Sequence, residues 1–470
     1  MDTRVNEQGL EFSEQLLKKY DQTGPRYTSY PTAVQFSSEF QARHYRQIAK
    51  ETTASQPEQP LSLYFHIPFC DTICYYCGCS KIVTRNHNLV SPYLSHLQLE
   101  IQQQAALFDQ RRVDQLHWGG GTPTFLSNAE MTQLMAMTRD SFNLDDSDQR
   151  EFSIEVDPRS VDDEGIAVLA DIGFNRLSMG VQDFDMAVQK AVNRVQSEEE
   201  TLAVLNKAKE HGFKSISIDL IYGLPRQTAE SFAATIEKVI AVNPDRIAVY
   251  NYAHLPHLFK TQKGIKEHEL PSPDTKMEIL ALTIDKLTKA GYVYIGMDHF
   301  AKPDDELATA QRNGTLHRNF QGYSTHADCD LVGMGLTSIG KVGNSYSQNF
   351  KDIETYYQYL SDGKLPIFRG IQLDDDDVLR REVISELMCH SVLEFADIEK
   401  KYGINFRDYF SYGLNALQPF EEDGLVIVET EKVQITPAGR MLLRNIAMQF
   451  DAYLQPDGKI ANQATYSRLI

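Results

Sequence analysis

From residue 61 onward, short runs rich in β-branched and aromatic residues alternate with longer stretches whose apolar residues recur at helical spacing. Such alternation predicts repeated βα units around a parallel sheet. Strands are predicted over residues 62–67, 113–118, 151–156, 176–179, 215–221 and 246–250, with a seventh over 293–297. Crossover helices are predicted where apolar residues share one helical face, as in the sets Val90, Leu94, Leu97, Ile101 and Phe232, Ile236, Val239. The pattern indicates an α/β fold, a partial (β/α)6 barrel resembling a TIM barrel.

The segments on either side of these units have a different pattern. Residues 1–60 are polar apart from residues 24–36, where two prolines and three aromatic residues exclude a helix and predict an extended arm over the barrel. After about residue 370 the βα rhythm stops, and residues 374–450 predict helices around a hairpin of residues 425–429 and 432–435. The chain is therefore divided into an N-terminal arm (1–60), a partial barrel (61–300), a connecting extension (301–370) and a mostly helical, winged-helix-like domain (371–470).

Composition and charge narrow the class of protein. Hydrophobic residues make up 42% and charged residues 24% of the 470 positions, which is typical of globular proteins. No run approaches the roughly 18 apolar residues that cross a bilayer, so we expect a cytoplasmic protein without membrane insertion. The net charge of -19 argues against nucleic-acid binding, and we interpret the C-terminal domain as a lid or docking module.

Unusual residues cluster at the predicted carboxyl ends of the strands. Cysteines follow the first strand, three glycines follow the second, and Glu155 with Asp157 closes the third. Gln182 follows the fourth strand, and Asp219 lies within the fifth. Because the carboxyl ends of parallel strands meet at one edge of a sheet, these residues are expected to form a single site.

Four of the six cysteines, Cys70, Cys74, Cys77 and Cys79, fall within ten residues. In a cytosolic protein this clustering indicates metal binding or redox chemistry rather than a disulfide framework. A zinc site usually pairs two C-x-x-C knuckles that are well separated, and a dithiol motif normally opens a helix in a smaller domain, yet both stay open as alternatives. Three cysteines on a four-iron cube would leave one iron free for a ligand that is not protein.

The spacing C-x-x-x-C-x-x-C after a first strand, with Tyr76 before its last cysteine, resembles the signature of radical S-adenosylmethionine enzymes. The resemblance implies the barrel of that superfamily, a 4Fe-4S cluster held by Cys70, Cys74 and Cys77, and S-adenosylmethionine chelating the open iron. An electron from the cluster then releases a 5'-deoxyadenosyl radical. Residues 119–123, GGGTP, resemble the glycine motif of these enzymes with threonine in place of its acid. The alternative for this segment is a tight turn or an anion loop.

A narrower resemblance extends over nearly the whole chain through strings such as GPRYTSYPTA, LYFHIPFC, LHWGGGTPT, IEVDPR, LSMGVQDF and HRNFQGY. These resemble the oxygen-independent coproporphyrinogen III oxidase family. The resemblance implies oxidative decarboxylation of two propionate side chains of coproporphyrinogen III to vinyl groups, giving protoporphyrinogen IX in haem (porphyrin) biosynthesis. The radical would abstract a hydrogen β to the pyrrole ring, and loss of carbon dioxide and one electron would leave the vinyl group.

Three alternatives to this activity stay open. The first is a haem-binding chaperone of the same fold without decarboxylase activity, although such homologues generally replace the cysteine found here as Cys79. The second is a radical methylase with another substrate, and the third is a zinc-stabilised binding module.

The resemblance also implies two S-adenosylmethionine molecules per chain. The cluster-bound molecule is expected to contact Tyr64, Gly120, Glu155 and Ile339. The second molecule is expected to contact Tyr76, Gly121, Thr122, Gln182, Arg194, Asp219 and Ala253. Carboxylates suit ribose hydroxyls or ammonium, and a guanidinium suits a methionine carboxylate, although structural ion pairs or a helix cap would use the same residues.

Catalytic roles are assigned to Tyr64, His66 and Cys79, and His66 could equally form a structural hydrogen bond. A substrate with four carboxylates needs local cations in an acidic protein. The candidates are Arg26, Lys81, Arg85, Lys302 and Arg318. The implied chemistry requires a reductant protein such as flavodoxin or ferredoxin, and we expect a monomer.

Overall fold

The computed structural model describes residues 3–5, 9–326, 329–456, 458–459 and 466. Its centre is one long sheet. In chain order its main strands are β1 (Leu61–Ile67), β2 (Arg112–Gly120), β3 (Glu151–Val156), β4 (Arg176–Gln182), β5 (Ser215–Tyr222), β6 (Arg246–Asn251), β7 (Val293–Gly296), β8 (His299–Ala301), β9 (Asp330–Gly335), β10 (Ile339–Val342), β11 (Ser345–Asn349) and β12 (Ile367–Gln372). A further strand of two residues, Asn143–Leu144, pairs in parallel with the start of β2. The observed strands β1 to β6 confirm the six predicted strands, and no strand end differs from its predicted position by more than three residues.

The parallel part of the sheet runs in the order β6-β5-β4-β3-β2-β1-β9. Antiparallel strands extend it at both ends, with β8 and β7 beyond β6, and with β10, β11 and β12 beyond β9. The predicted seventh strand is β7, at an edge. The strand β9 was not predicted, because two of its six residues are glycines and weaken the β pattern. A Cβ at Gly333 would lie 2.6 Å from the carbonyl oxygen of Ile339, so the tight hairpin with β10 requires glycine there.

Helices connect the parallel strands and cover the outside of the sheet. Those before and within the barrel are α1 (Glu14–Lys19), α2 (Ala42–Ser55), α3 (Val90–Ala105), α4 (Asn128–Ser141), α5 (Asp163–Asp171), α6 (Met186–Ala191), α7 (Glu198–Glu210), α8 (Ala229–Val242), α9 (Pro273–Lys289), α10 (Glu306–Asn313) and α11 (Ile353–Ser361). The predicted faces of α3 and α8 are buried, and both belong to the main core. In the described part of the chain, no helix is both long enough and apolar enough to cross a membrane.

The C-terminal part forms a second hydrophobic core with the N-terminal arm. Its helices are α12 (Asp375–His390), α13 (Phe395–Tyr402), α14 (Phe406–Tyr409), α15 (Ser411–Ala416), α16 (Gln418–Glu422) and α17 (Leu443–Ala447). A small antiparallel sheet contains β13 (Val392–Glu394), β14 (Val426–Val428) and β15 (Lys432–Ile435), in agreement with the predicted hairpin. Leu17, Tyr27 and Tyr30 of the arm are buried in this core. The Tyr27 hydroxyl donates to Asp451 at 2.9 Å, which anchors the arm to the end of the domain.

A buried ion pair ties β9 to the segments that lead into β1 and β2. Arg111 Nη2 lies 2.8 Å from Asp330 Oδ2, and each side chain is 1% exposed. Arg111 Nε also donates to the Gln59 carbonyl at 2.7 Å, and the Gly343 amide donates to Asp330 Oδ1 at 2.8 Å. Burying a charged side chain costs free energy unless the charge is paired and hydrogen-bonded. Arg111 and Asp330 meet both conditions.

Arg111→Leu is therefore expected to lower the free energy of unfolding by about 3–5 kcal/mol, because it leaves the Asp330 carboxylate buried and uncompensated. Urea unfolding under anaerobic conditions measures this loss. The double variant Arg111→Leu/Asp330→Asn, which removes both charges, should recover part of it. A loss below about 1 kcal/mol in the single variant would show that the pair does not hold β9 in place.

Candidate active site

The four clustered cysteines lie on one loop at the carboxyl end of β1. Both ends of the loop are fixed, because residues Phe69–Cys70 pair in parallel with Ile82–Val83 and the Thr84 amide donates to the Cys70 carbonyl at 2.9 Å. The loop forms one wall of a cleft of about 430 Å³ whose other walls come from the ends of β2, β3, β4 and β5. The convergence predicted from the sequence is therefore present.

The cysteine sulfurs form an open donor set rather than a compact one. In a tetrahedral zinc site, thiolate sulfurs lie about 3.8 Å apart, given Zn–S bonds of about 2.3 Å. Among the described residues, no three cysteine sulfurs lie within 4.8 Å of one another. The sulfurs are therefore not spaced as the ligands of a single zinc ion, and three thiols on one loop are the donor set that a four-iron cube takes.

Cationic groups surround the sulfur of Cys74. Arg194 Nη1 lies 3.6 Å and Arg159 Nη2 3.9 Å from this atom. The pKa of Cys77 is lowered to about 6, chiefly because the Cys79 thiol donates a hydrogen bond to it. Thiolates are the form that binds metal, so these contacts favour ligation by the loop. Cys79 is the exposed member of the four.

The glycine segment after β2 packs against the cysteine loop through backbone atoms. The Gly121 amide donates to the Ile67 carbonyl and the Thr122 amide to the Phe69 carbonyl, each at 2.8 Å. Gly120 has a φ of +117°, and a Cβ there would lie 2.8 Å from the His66 ring. A Cβ at Gly121 would meet the Phe69 carbonyl oxygen at 2.7 Å. The glycines are therefore needed for close approach, which adds a packing role to the cofactor contact predicted for them.

His66 and Tyr64 form a buried chain behind the loop. The His66 Nε2 atom lies 2.9 Å from the Ser80 carbonyl, so Nε2 carries the proton, and Nδ1 accepts from the Tyr64 hydroxyl at 3.1 Å. Burial lowers the pKa of His66, which keeps the ring neutral. The Tyr64 ring stacks on His117 at 5.8 Å. His66 thus links β1 to the last turn of the cysteine loop, while both residues lie outside the lining of the cleft.

Two carboxylates with different proton affinities face the cleft. Although burial opposes it, hydrogen bonds from His117 at 3.3 Å and from the Gly120 amide at 3.2 Å lower the pKa of Glu155. Burial, together with the Glu155 charge, raises the pKa of Asp219 to about 7, and Ser178 donates to it at 3.1 Å. Glu155 is therefore a fixed negative charge, whereas Asp219 can gain or lose a proton near neutral pH.

Arg194 is held across the cleft by several acceptors. Its guanidinium donates to Asp157 at 2.9 Å, to the Gly180 carbonyl at 2.7 Å and to Gln196 at 3.1 Å. Asp157 also pairs with Arg159 at 2.6 Å. Asp157 was predicted at this site from its place at the end of the third strand, whereas Arg159, two residues later in the string IEVDPR, was not predicted. The sequence feature that could have indicated Arg159 is the charged turn directly after β3, at the edge of the sheet where the strand ends meet.

The remaining predicted contacts divide into two sets. Gln182, with a φ of +68°, and Tyr76 line the cleft. Ala253 lies beside the loop, because the Gln262 amide donates both to the Ala253 carbonyl at 3.1 Å and to the Tyr76 carbonyl at 3.2 Å. Ile339 instead packs against an apolar cluster on the far side of β9 and is outside the cleft lining.

Comparisons with known proteins agree with this geometry. The model of the Radical SAM superfamily matches residues 64–239, and the model of the HemN C-terminal domain matches residues 373–442. The oxygen-independent coproporphyrinogen III oxidase of Salmonella typhimurium is 50% identical over 99% of this chain and 100% of its own length. That of Escherichia coli strain K12 is 50% identical over 98% of this chain and 99% of its own.

This chain belongs to the oxygen-independent coproporphyrinogen III oxidase family. The solved structure of coproporphyrinogen III oxidase from Escherichia coli, described as a radical SAM enzyme, has a TM-score of 0.90 at 50% identity and covers 95% of this chain. The predicted partial barrel of the radical SAM type, with its C-terminal helical domain, is confirmed. The family implies a 4Fe-4S cluster and S-adenosylmethionine, and the open loop of Cys70, Cys74 and Cys77 fits the cluster.

Within this coproporphyrinogen oxidase fold, replacing Cys70, Cys74 or Cys77 with serine is expected to abolish the cluster, because a hydroxyl is a poor substitute for a thiolate. Cys79→Ser should keep the cluster and lose activity. Iron and sulfide analysis with visible absorption, after anaerobic reconstitution, measures both outcomes. Cys389→Ser, which alters a buried cysteine of the second core, is the matched control. Loss of iron from the Cys79 variant with retention in a Cys77 variant would overturn the ligand assignment.

Proposed function

We propose that this chain catalyses the oxygen-independent oxidative decarboxylation of two propionate side chains of coproporphyrinogen III, giving protoporphyrinogen IX in haem biosynthesis. The observation that carries the proposal is the cleft in which the cysteine loop, the glycine segment and the acids Glu155 and Asp219 meet. The relatives that share half of their residues with this chain over its full length carry the name of that activity. Cys79 and the buried arm both favour the oxidase over a haem-binding chaperone of the same fold.

Cys70, Cys74 and Cys77 would hold the cluster, which when bound would supply the electron for reductive cleavage of S-adenosylmethionine. The chain's own residues then bind and orient the reactants. The Glu155 carboxylate, kept ionised by His117 and the Gly120 amide, can accept hydrogen bonds from the cofactor's ammonium or ribose hydroxyls. Tyr64 and His66 support the loop from behind, so their catalytic contribution is positioning.

Two S-adenosylmethionine molecules per chain are part of the proposal. Glu155 and Gly120 lie on the side of the cleft next to His66, and are proposed for the cluster-bound molecule with Tyr64 and Ile339. Gln182 comes from β4, Arg194 from the turn after α6 and Asp219 from β5. All three line the cleft and are proposed for the second molecule. Tyr76, Gly121, Thr122 and Ala253 complete that second set. We also propose that a low-potential donor protein such as flavodoxin or ferredoxin reduces the cluster, and that the protein is a cytoplasmic monomer.

Incubation of the reduced, reconstituted protein with coproporphyrinogen III and S-adenosylmethionine without oxygen tests the activity. We expect protoporphyrinogen IX, with two carbon dioxide molecules released per tetrapyrrole, identified by mass spectrometry after oxidation to the porphyrin. The Cys77→Ser variant is the control and should give no product. Tight tetrapyrrole binding without any decarboxylation by the cluster-loaded protein would instead support the chaperone.

Arg194→Ala is expected to weaken binding of one of the two S-adenosylmethionine molecules by roughly ten- to a hundredfold, because a charged hydrogen bond is worth about 1.5–3 kcal/mol. Equilibrium binding to the reduced holoenzyme measures this, and wild type should consume about two cofactors per product. Arg176→Ala removes a guanidinium from the opposite end of β4 and should affect thermal stability but not cofactor affinity. Saturation at one cofactor per chain, with the same affinity in wild type and Arg194→Ala, would remove the second site.

A further inference from the structure

A second cavity, of about 320 Å³, lies between the edge of the barrel sheet, the N-terminal arm and the C-terminal domain. Its other walls are residues 27–30 of the arm, residues 317–320 and α12. No residue proposed to hold the cluster or S-adenosylmethionine is in its lining. Four of its lining residues are register partners across β1, β9, β10 and β11, namely Ser62, Leu331, Lys341 and Tyr346.

The register along β1 relates this cavity to the cysteine loop. Side chains two positions apart on a strand share one face of the sheet, so Ser62 faces the same side as Tyr64 and His66. His66 Nε2 lies 2.9 Å from the Ser80 carbonyl of the cysteine loop. Ser62 is four residues, or about 13 Å of strand, before His66. The cavity is therefore on the same face of the sheet as the site, deeper in the barrel.

Positive charge exceeds negative charge in the lining. Its two acids are engaged by other groups, because Glu382 accepts from Lys401 at 2.6 Å and Glu386 pairs with His390 at 2.8 Å. Against these two acids the described lining holds four cations, Arg318, Lys341, Arg381 and Lys401. Such a local excess in a protein whose net charge is -19 favours an anionic ligand.

Two arginines of this lining keep guanidinium atoms without an acceptor. Among the described residues, Arg318 Nε and Nη1 and Arg381 Nη1 are buried and have no hydrogen-bond partner. Arg381 Nη2 donates to Asn344 at 3.3 Å, and the Arg318 guanidinium lies 4.8 Å from the centre of the Tyr323 ring. A buried charged donor without an acceptor costs free energy, and an anion bound in the same cavity removes that cost.

Aromatic side chains form the apolar part of the lining. Phe320 packs edge-on to Tyr346 at 5.7 Å, and the Tyr346 hydroxyl donates to the Tyr30 carbonyl at 3.3 Å. Tyr27 and Tyr30 are buried. Flat apolar walls next to guanidinium groups suit a ligand that has flat rings with carboxylates at their edge.

We propose that this cavity binds one edge of the tetrapyrrole substrate, with Arg318 and Arg381 pairing the carboxylates on its pyrrole rings. The inference rests on the proposed function, because it takes coproporphyrinogen III as the substrate. A volume of about 320 Å³ is at the lower end of the range for ligand sites, so the cavity holds part of the macrocycle. The remaining rings extend along β1 toward the cleft, where a propionate meets the cofactor.

Ligand affinity tests the proposal. Arg318→Gln and Arg381→Gln are expected to raise the Kd of the holoenzyme for coproporphyrin III, the stable oxidised form of the substrate, about tenfold or more, because each removes a charged hydrogen bond to a carboxylate. Fluorescence titration measures this. The KM for coproporphyrinogen III should rise by a similar factor, whereas the iron content and the affinity for S-adenosylmethionine should not change. Arg381→Lys, which keeps the charge without the forked donors, should recover part of the loss.

Thermal unfolding of the holoenzyme separates ligand binding from a structural role. Because both guanidinium groups are incompletely paired, neither Gln variant should lower the unfolding temperature without ligand. Saturating coproporphyrin III should raise that temperature more in wild type than in either variant. Arg312→Gln, on α10 and outside the cavity lining, is the matched control and should equal wild type with and without ligand. A Gln variant that is less stable than wild type without ligand would identify its arginine as structural and overturn the inference.

Acetate distinguishes the substrate from a free carboxylate. If acetate stabilises wild type as much as coproporphyrin III does, the cavity binds small anions only and the inference is overturned. Product formation by wild type, with less than twofold changes in KM and Kd in both Gln variants, would overturn the role of the cavity and leave the proposed function intact. Failure of wild type both to bind coproporphyrin III and to form product would overturn both.

Discussion

The cysteine loop is joined to the end of β2 by backbone hydrogen bonds, and the rest of the site depends on this junction. The Gly121 and Thr122 amides donate to carbonyls at either end of the turn that leads out of β1. Side chains at Gly120 or Gly121 would collide with the His66 ring or with the Phe69 carbonyl. The position of the cluster ligands is thus set by how closely two neighbouring parallel strands can approach each other at their carboxyl ends. The glycines therefore position the metal ligands, in addition to any contact that they make with a cofactor.

Groups of both charges meet in the cleft. Glu155 and Asp219 provide the acceptors that an ammonium group and ribose hydroxyls require. Beside Cys74, Arg194 and Arg159 provide the guanidinium groups that a carboxylate requires. A cofactor with an ammonium and a carboxylate group carries both kinds of charge, so this mixed lining suits it better than a cleft of one sign would.

The sequence predicted much of the fold because its periodic pattern is local. The strands β1 to β6 and the helices α3 and α8 follow from alternating apolar runs that need no knowledge of distant contacts. The strand β9 did not follow, since Gly333 and Gly335 are chosen for close approach to β10 and to β1 rather than for strand propensity. The cleft residues were predicted where they stand in motifs at strand ends. Asp157 was predicted among them, but Arg159 was missed because a charged turn resembles any solvated loop until Cys74 is seen beside it.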